Sequence, residues 1–217
     1  MHLHTSSKSR SLDIYNAIAK TACKVKEEYH LNLRYIDIGG GFFGGLPNKP
    51  QFDDYIKFVS ETLTKSFNFD ETTLIVEPGM AVIGAPISYV TTVIDVKDTT
   101  YGRFVITDGT RMDIDPLMTK NTYFHSYMYQ RTGEIILKQV ICGSTCMEHD
   151  RLFTAYEEPE LKVGDKIVYN KVGAYTMCLT PLFIKYFPDV YVEEDGMMEL
   201  VREAWGPKEY IQKMRVG

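Results

Sequence analysis

Four short stretches hold residue types that can do chemistry. Asp37-Ile38-Gly39-Gly40-Gly41-Phe42 runs from an apolar segment straight into three glycines. Glycines after a strand let backbone N–H groups converge on a phosphate without side-chain obstruction, although a flexible strand-to-helix turn has the same composition. The spacing does not meet the Gly-x-Gly-x-x-Gly dinucleotide fingerprint. Glu77 follows the apolar run Leu74-Ile75-Val76 and precedes Pro78-Gly79. A carboxylate there can keep a ring nitrogen protonated, or it can stabilise a turn. Gly143-Ser144-Thr145-Cys146-Met147-Glu148-His149-Asp150 gathers a thiol and two acids, Cys146, Glu148 and Asp150. With His149 three positions from Cys146, a thiol acting as a proton donor fits better than a Cys–His nucleophile pair. Gly173-Ala174-Tyr175-Thr176 offers a phenol on a tight turn, suited to packing or to function.

The elements that must position these residues follow from periodicity. Leu12, Tyr15, Ile18, Ala22, Val25 and Tyr29 recur at three- and four-residue spacing, which predicts an amphipathic helix from Ser11 to about Tyr29. Leu33 to Ile38 reads as a short strand running into the glycines. Phe52, Tyr55, Ile56, Val59 and Leu63 mark a second helix, and Leu74 to Val76 another strand. Alternation of this kind, with polar or glycine-rich residues after each strand, indicates βα units on a parallel sheet. A few such units cannot close a barrel or cover both faces of a sheet, so the α/β portion reads as incomplete.

After Gly79 the texture turns β-rich, with strands expected at Ile87 to Val96, Arg103 to Thr107, Glu134 to Ile141 and Leu161 to Tyr169. A mostly antiparallel second domain is therefore expected from about Met80. A short amphipathic helix is expected around Gly196 to Trp205.

Composition narrows the function classes. Twenty-four Lys and Arg against 29 Asp and Glu give a net charge of -5 without a basic run, which argues against a nucleic-acid partner. No apolar stretch is long enough for a membrane span and no signal core stands at the N-terminus, so a cytoplasmic location is the expectation. Cys23, Cys142, Cys146 and Cys178 lack Cys-x-x-Cys spacing and read as reduced thiols, with no metal site expected.

Taken in order, these motifs resemble the fold type III family of pyridoxal-phosphate-dependent amino-acid decarboxylases, the ornithine, diaminopimelate and arginine decarboxylases. The resemblance runs from the first residues to about Thr180. His4-Thr5-Ser6-Ser7 is similar to the family's His-x-Gly-Ser, Gly39-Gly40-Gly41-Phe42 to its phosphate loop, and Glu77-Pro78-Gly79 to its pyridinium partner. Gly143-Ser144-Thr145-Cys146 with Asp150 is similar to its cysteine motif, and Gly173-Ala174-Tyr175 to its Gly-Ala-Tyr.

The resemblance implies an α/β plus β fold: the C-terminal strands and helices of a (β/α)8 alanine-racemase-like barrel over residues 1–80, then an antiparallel β-domain over residues 81–217. It implies pyridoxal 5′-phosphate as cofactor, with His4, Ser7, Gly39, Gly40, Gly41, Glu77, Gly79 and Tyr175 around it. Cys146 is implied as the catalytic thiol that returns a proton to Cα after carbon dioxide leaves, and Asp115, Glu148 and Asp150 as substrate contacts. It also implies a head-to-tail homodimer with shared active sites, in which the cysteine acts on the partner's cofactor.

Departures from the pattern carry information as well. No segment resembles the motif of the Schiff-base lysine, which belongs to an early barrel strand, so a missing N-terminal half of the barrel is an expected partner. Met80 stands where most members carry an arginine that pairs with the phosphate, and Met147 where an acid follows the cysteine. Asp115, before Pro116, stands where diaminopimelate decarboxylases carry an arginine for a distal carboxylate. An aspartate there favours a distal amine, so ornithine or lysine is expected over diaminopimelate. The rival readings are a non-catalytic relative serving as a binding or regulatory module and an amino-acid racemase, the latter opposed by the cysteine motif.

Overall fold

Ser11 opens the first helix because its hydroxyl accepts the Ile14 N–H, satisfying a donor that the first helical turn leaves unpaired. In the computed structural model, which describes residues 1–6, 9–129 and 133–215, the chain divides into two units. The first comprises Met1–Ser88 with Asn170–Ala174, and the second Tyr89–Tyr169 with Tyr175–Gly217.

The first unit contains β1 (His2–Leu3), α1 (Leu12–Glu28), β2 (Tyr35–Ile38), α2 (Phe52–Leu63), β3 (Thr73–Val76) and α3 (Met80–Ile83). Its strands form a parallel sheet in the order β1-β2-β3. Helix α1 buries Tyr15 and Ala22 of the expected face together with Ala19, while Tyr29, beyond its last turn, is exposed; α2 buries Tyr55, Val59 and Leu63. At its centre Phe42 and Tyr55 stack with ring centroids 4.5 Å apart, and Tyr15 meets both edge-on at 5.2 and 5.1 Å. Each of these rings contributes about 1.5–3 kcal/mol through burial. The phenols of Tyr15 and Tyr55 also tie down neighbouring segments, as described below.

The expected boundary after residue 80 lies eight residues before the end of this unit's main segment at Ser88. The intervening residues pack into the first unit: a Cβ on Gly44 or Gly45 would collide with Ala81 or Ala85. The return of residues 170–174 has a backbone cause, since Val172 N–H donates to Ile87 O (3.0 Å) and Gly173 N–H to Gly84 O (3.1 Å).

The second unit is built on β4 (Ser88–Thr99), β5 (Gly102–Thr107), β6 (Phe124–Met128), β7 (Ile135–Cys142), β8 (Arg151–Pro159) and β9 (Lys166–Asn170). They form one sheet in the order β6-β9-β4-β5-β7-β8. Val93, Val105, Ile141, Leu152, Ala155, Leu161, Ile167 and Tyr169 make its core. Gln139, fully buried, has its amide satisfied by Pro159 O (2.8 Å) and the Leu161 N–H (3.2 Å).

Two expectations need correction here. The sheet is mixed: β4–β5 and β7–β8 are antiparallel, but β5 and β7 run parallel, Arg103 opposite Gln139 through Ile106 opposite Cys142. The long excursion from Asp108 to Glu134, which contains β6, lets the chain re-enter in the same direction. The helix expected at Gly196 to Trp205 is instead a strand, β11 (Met197–Arg202), paired antiparallel with β10 (Val190–Glu194). Asp195 and Gly196, at φ 52° and 76°, make the two-residue turn that joins them, and Asp-Gly is a strong hairpin signal. A short helix, α4 (Pro207–Tyr210), follows.

Candidate functional site

Register alone brings three sequence-predicted residues of the first unit together. Leu3 pairs with Ile38, and Ile38 with Val76, so His4, Gly39 and Glu77 are the next residues along three adjacent parallel strands. A Cβ on Gly39 would lie 2.7 Å from His4 Nδ1 and 2.8 Å from Glu77 Oε2. Only glycine permits that convergence, and the result is an imidazole and a carboxylate facing the same small gap.

The glycine loop is fixed from below. Tyr15 donates its hydroxyl to Gly41 O (2.6 Å), and the Phe42 N–H donates to Pro78 O (2.9 Å). Burial, and Tyr55 and Glu77 nearby, push the Tyr15 phenol up to about 12, so it remains a neutral donor at physiological pH. Gly41 and Gly79 take φ values of 73° and 55°. Ser7 lies outside the described residues.

Two residues that sequence reasoning did not single out join this site. His2 Nδ1 lies 2.8 Å from Asp37 Oδ2, and the His2 and His4 rings stack 6.0 Å apart. The His2-Leu3-His4 alternation on a strand, which puts both imidazoles on one face, was the available signal. Donor atoms of His2, Asp37 and Glu77 fall within 4.8 Å of one another. Asp37 Oδ1 is buried with no hydrogen-bond partner.

In the second unit Asp150 organises the cysteine loop. It is 3% exposed; Oδ1 accepts from Arg111 N (2.7 Å) and Thr110 Oγ1 (3.1 Å), and Oδ2 from Thr145 N (3.1 Å) and Thr145 Oγ1 (2.5 Å). A Cβ on Gly143 would strike that carboxylate at 2.3 Å, so the loop closes on Asp150 only with glycine there. Cys146 is left exposed at its tip, with Glu148 and His149 exposed beside it. Cys142, half-buried, has its thiol pushed up to about 11 by burial and is a poor proton donor or nucleophile.

Asp115 and Asp150, expected as substrate contacts, have other partners. Asp115 is 3% exposed, gripped by Arg111 Nε (3.0 Å) and Nη2 (2.9 Å) and by the N–H groups of Thr119 (3.1 Å) and Lys120 (2.9 Å). A two-pronged guanidinium neutralises the charge on which its discrimination against a carboxylate depended. Asp150 is filled by four donors. Tyr175 is exposed and adopts φ 62°, a left-handed conformation that costs a non-glycine residue on the order of 1–3 kcal/mol.

A planar ring carrying a nitrogen and a phosphate suits the first-unit residues. The gap at Gly39 is one that a Cβ would fill, lined by an imidazole to stack on a ring and a carboxylate to pair with a ring N–H. The same unit holds an orphaned carboxylate oxygen on Asp37, whose other oxygen meets His2, and an orphaned Nε on Arg10 that faces Gly41. Pyridoxal 5′-phosphate has those features.

The family model for the pyridoxal-dependent decarboxylase pyridoxal binding domain matches residues 1–84, and that for the C-terminal sheet domain matches residues 58–173. The lysine/ornithine decarboxylase of Selenomonas ruminantium is 25% identical over 201 residues, covering 88% of this chain and 50% of that enzyme. A diaminopimelate decarboxylase of Helicobacter pylori is 28% identical over 179 residues, covering 81% and 44%. A crystal structure of the Helicobacter pylori diaminopimelate decarboxylase complexed with L-lysine shares the fold, with a TM-score of 0.76 at 20% identity over 97% of this chain and 52% of that one. The chain spans about half the length of the curated relatives it matches. Matched to both family models from its first residue to Gly173, with the residues they bring together standing at the ends of adjacent strands, this chain belongs to the pyridoxal-dependent decarboxylases.

Proposed function

We propose that this chain is the C-terminal part of a pyridoxal-phosphate-dependent decarboxylase that acts on a basic amino acid and works with an N-terminal segment carrying the Schiff-base lysine. Residues 1–88, with the return of residues 170–174, form the last strands and helices of a (β/α)8 barrel, and the second unit is the β-domain. The active enzyme is a homodimer with shared active sites. The observation that carries the reading is the convergence of His4 and Glu77 on Gly39.

When bound, pyridoxal phosphate supplies an electron sink for the pair left behind as carbon dioxide departs. His4 stacks on the ring and orients it. Glu77 holds a proton on the ring nitrogen. The loop of Gly39, Gly40 and Gly41, with Gly79, receives the phosphate. Cys146 Sγ gives its proton to the substrate Cα across the dimer interface. Asp150 acts as a positioning residue for that thiol, through Thr145.

The substrate class rests on Glu148, an exposed carboxylate two residues from Cys146 that can meet a distal ammonium. Asp115, paired with Arg111, does not support that preference. The relatives are named both for lysine and ornithine and for diaminopimelate, so the choice between them rests on the residues of this chain.

The test is product analysis with carboxyl-labelled ornithine, lysine and diaminopimelate on the cofactor-loaded assembly. Release of labelled carbon dioxide from ornithine or lysine ahead of diaminopimelate is expected. Racemisation without carbon dioxide would make this a racemase, and no turnover with cofactor bound a non-catalytic relative.

A further inference from the structure

We propose that Arg10 is the cation that grips the phosphate of the cofactor; the inference rests on the cofactor reading above and assigns a residue that no motif in the chain marks. Its guanidinium is held in place without being electrically satisfied. Tyr55 donates its hydroxyl to Arg10 O at 2.5 Å, and the guanidinium carbon lies 5.6 Å from the centre of the Phe43 ring, so the residue is pinned at both ends. Yet Nε is buried with no partner, and Nη1 faces the Met80 sulfur at 2.6 Å, a weak acceptor. Among the described residues no carboxylate forms an ion pair with it. A partly buried guanidinium without an anion is costly, and a bound anion removes that cost.

The space beside it suits a phosphate. A Cβ placed on Gly41 would have nothing nearer than Arg10 Nε and Pro78 O at 3.8 Å, with Arg10 Nη2 at 3.9 Å. A Cβ placed on Gly79 would meet only Gly41 Cα, at 3.9 Å. Two glycines therefore leave an opening whose nearest side chain is the guanidinium. Gly41 stands two residues, at most about 7 Å, from the gap at Gly39. One molecule can place its ring at Gly39 and its phosphate at Gly41, where the planar fork of Arg10 offers parallel donors to two oxygens.

The experiment is calorimetric titration of the assembly that contains this chain, stripped of cofactor, with pyridoxine 5′-phosphate and with pyridoxine, which have no aldehyde and so report non-covalent contacts alone. The wild-type chain is expected to bind the phosphorylated form the more tightly. Arg10→Gln is expected to lose about tenfold to a hundredfold in affinity for pyridoxine 5′-phosphate, the range for a charge-assisted contact, and less than about twofold for pyridoxine. Arg10→Lys, a cation without the fork, falls between, and decides the matter if the glutamine variant does not fold. Equal binding of pyridoxine 5′-phosphate by wild type and Arg10→Gln overturns the assignment and leaves the cofactor site standing. Equal losses for both ligands give Arg10 a merely structural role and also overturn it. Failure of the wild type to bind either compound overturns the cofactor reading itself.

Discussion

Thr145 donates its hydroxyl to Asp150 Oδ2 at 2.5 Å, one residue before the exposed thiol of Cys146. Through Oδ1 the same carboxylate holds the turn at Thr110 and Arg111, so one buried charge sets the cysteine loop against the β5–β7 end of the sheet. Asp150→Ala leaves these donors buried and unpaired and is expected to cost about 3 kcal/mol or more. Asp150→Asn, which keeps the shape, should cost about half as much. Urea denaturation checks both values, and the looser loop should alter the alkylation rate of Cys146 in the asparagine variant while the sheet stays folded.

Gly39→Ala tests the first-unit convergence. Its Cβ meets the ends of two flexible side chains, His4 and Glu77, rather than backbone, so the fold should survive with a loss of about 1 kcal/mol. Pyridoxine binding should fall at least about tenfold as the imidazole and carboxylate are forced apart. Unchanged pyridoxine affinity in a folded Gly39→Ala variant would remove His4 and Glu77 from the ring site.

Thiol chemistry separates Cys146 from Cys142. With its thiol pushed up to about 11, Cys142 is ionised to only about one part in a thousand at pH 8, and its thiolate fraction grows as the pH rises towards 11. Exposed Cys146 and Cys178 should react with iodoacetamide first at pH 8, and Cys142 only at much higher pH or after unfolding. Peptide mapping after timed alkylation reads this order directly; labelling of Cys142 as fast as Cys146 at pH 8 would contradict its burial.

Tyr15→Phe should loosen the glycine loop without emptying the core. The ring contacts with Phe42 and Tyr55 persist, but Gly41 O loses its 2.6 Å donor. A loss of about 1–2 kcal/mol in stability is expected, together with faster amide exchange at Phe42.

Much of the first unit was legible in the sequence because each element there obeys one simple rule. Apolar runs that stop in glycine or Glu-Pro-Gly marked β2 and β3, and three- and four-residue spacing marked α1 and α2. Parallel register then did the rest, since the pairing of Leu3 with Ile38 and of Ile38 with Val76 delivers His4, Gly39 and Glu77 to one end. The β-domain was less legible. The β10–β11 hairpin hid behind Met197-Met198-Glu199-Leu200-Val201, whose apolar residues fall on both faces and mimic helical spacing, while its Asp195-Gly196 turn was the better guide. The parallel pairing of β5 and β7 depends on a distant excursion that no local pattern encodes. Asp115 and Asp150 were identified as acids near motifs, but whether an acid faces a ligand or fills with backbone donors is decided by tertiary neighbours such as Arg111 and Thr145. Arg10, between two serines, carries no motif at all; only the opening over Gly41 singles it out.

The most direct test is native mass spectrometry of the assembly that contains this chain, purified from its source. A lysine-bearing segment beyond these 217 residues, joined or as a companion polypeptide, together with one pyridoxal phosphate per active site, is the expected result. This chain alone or as a homo-oligomer, free of cofactor, would contradict the proposal that it is part of a working decarboxylase.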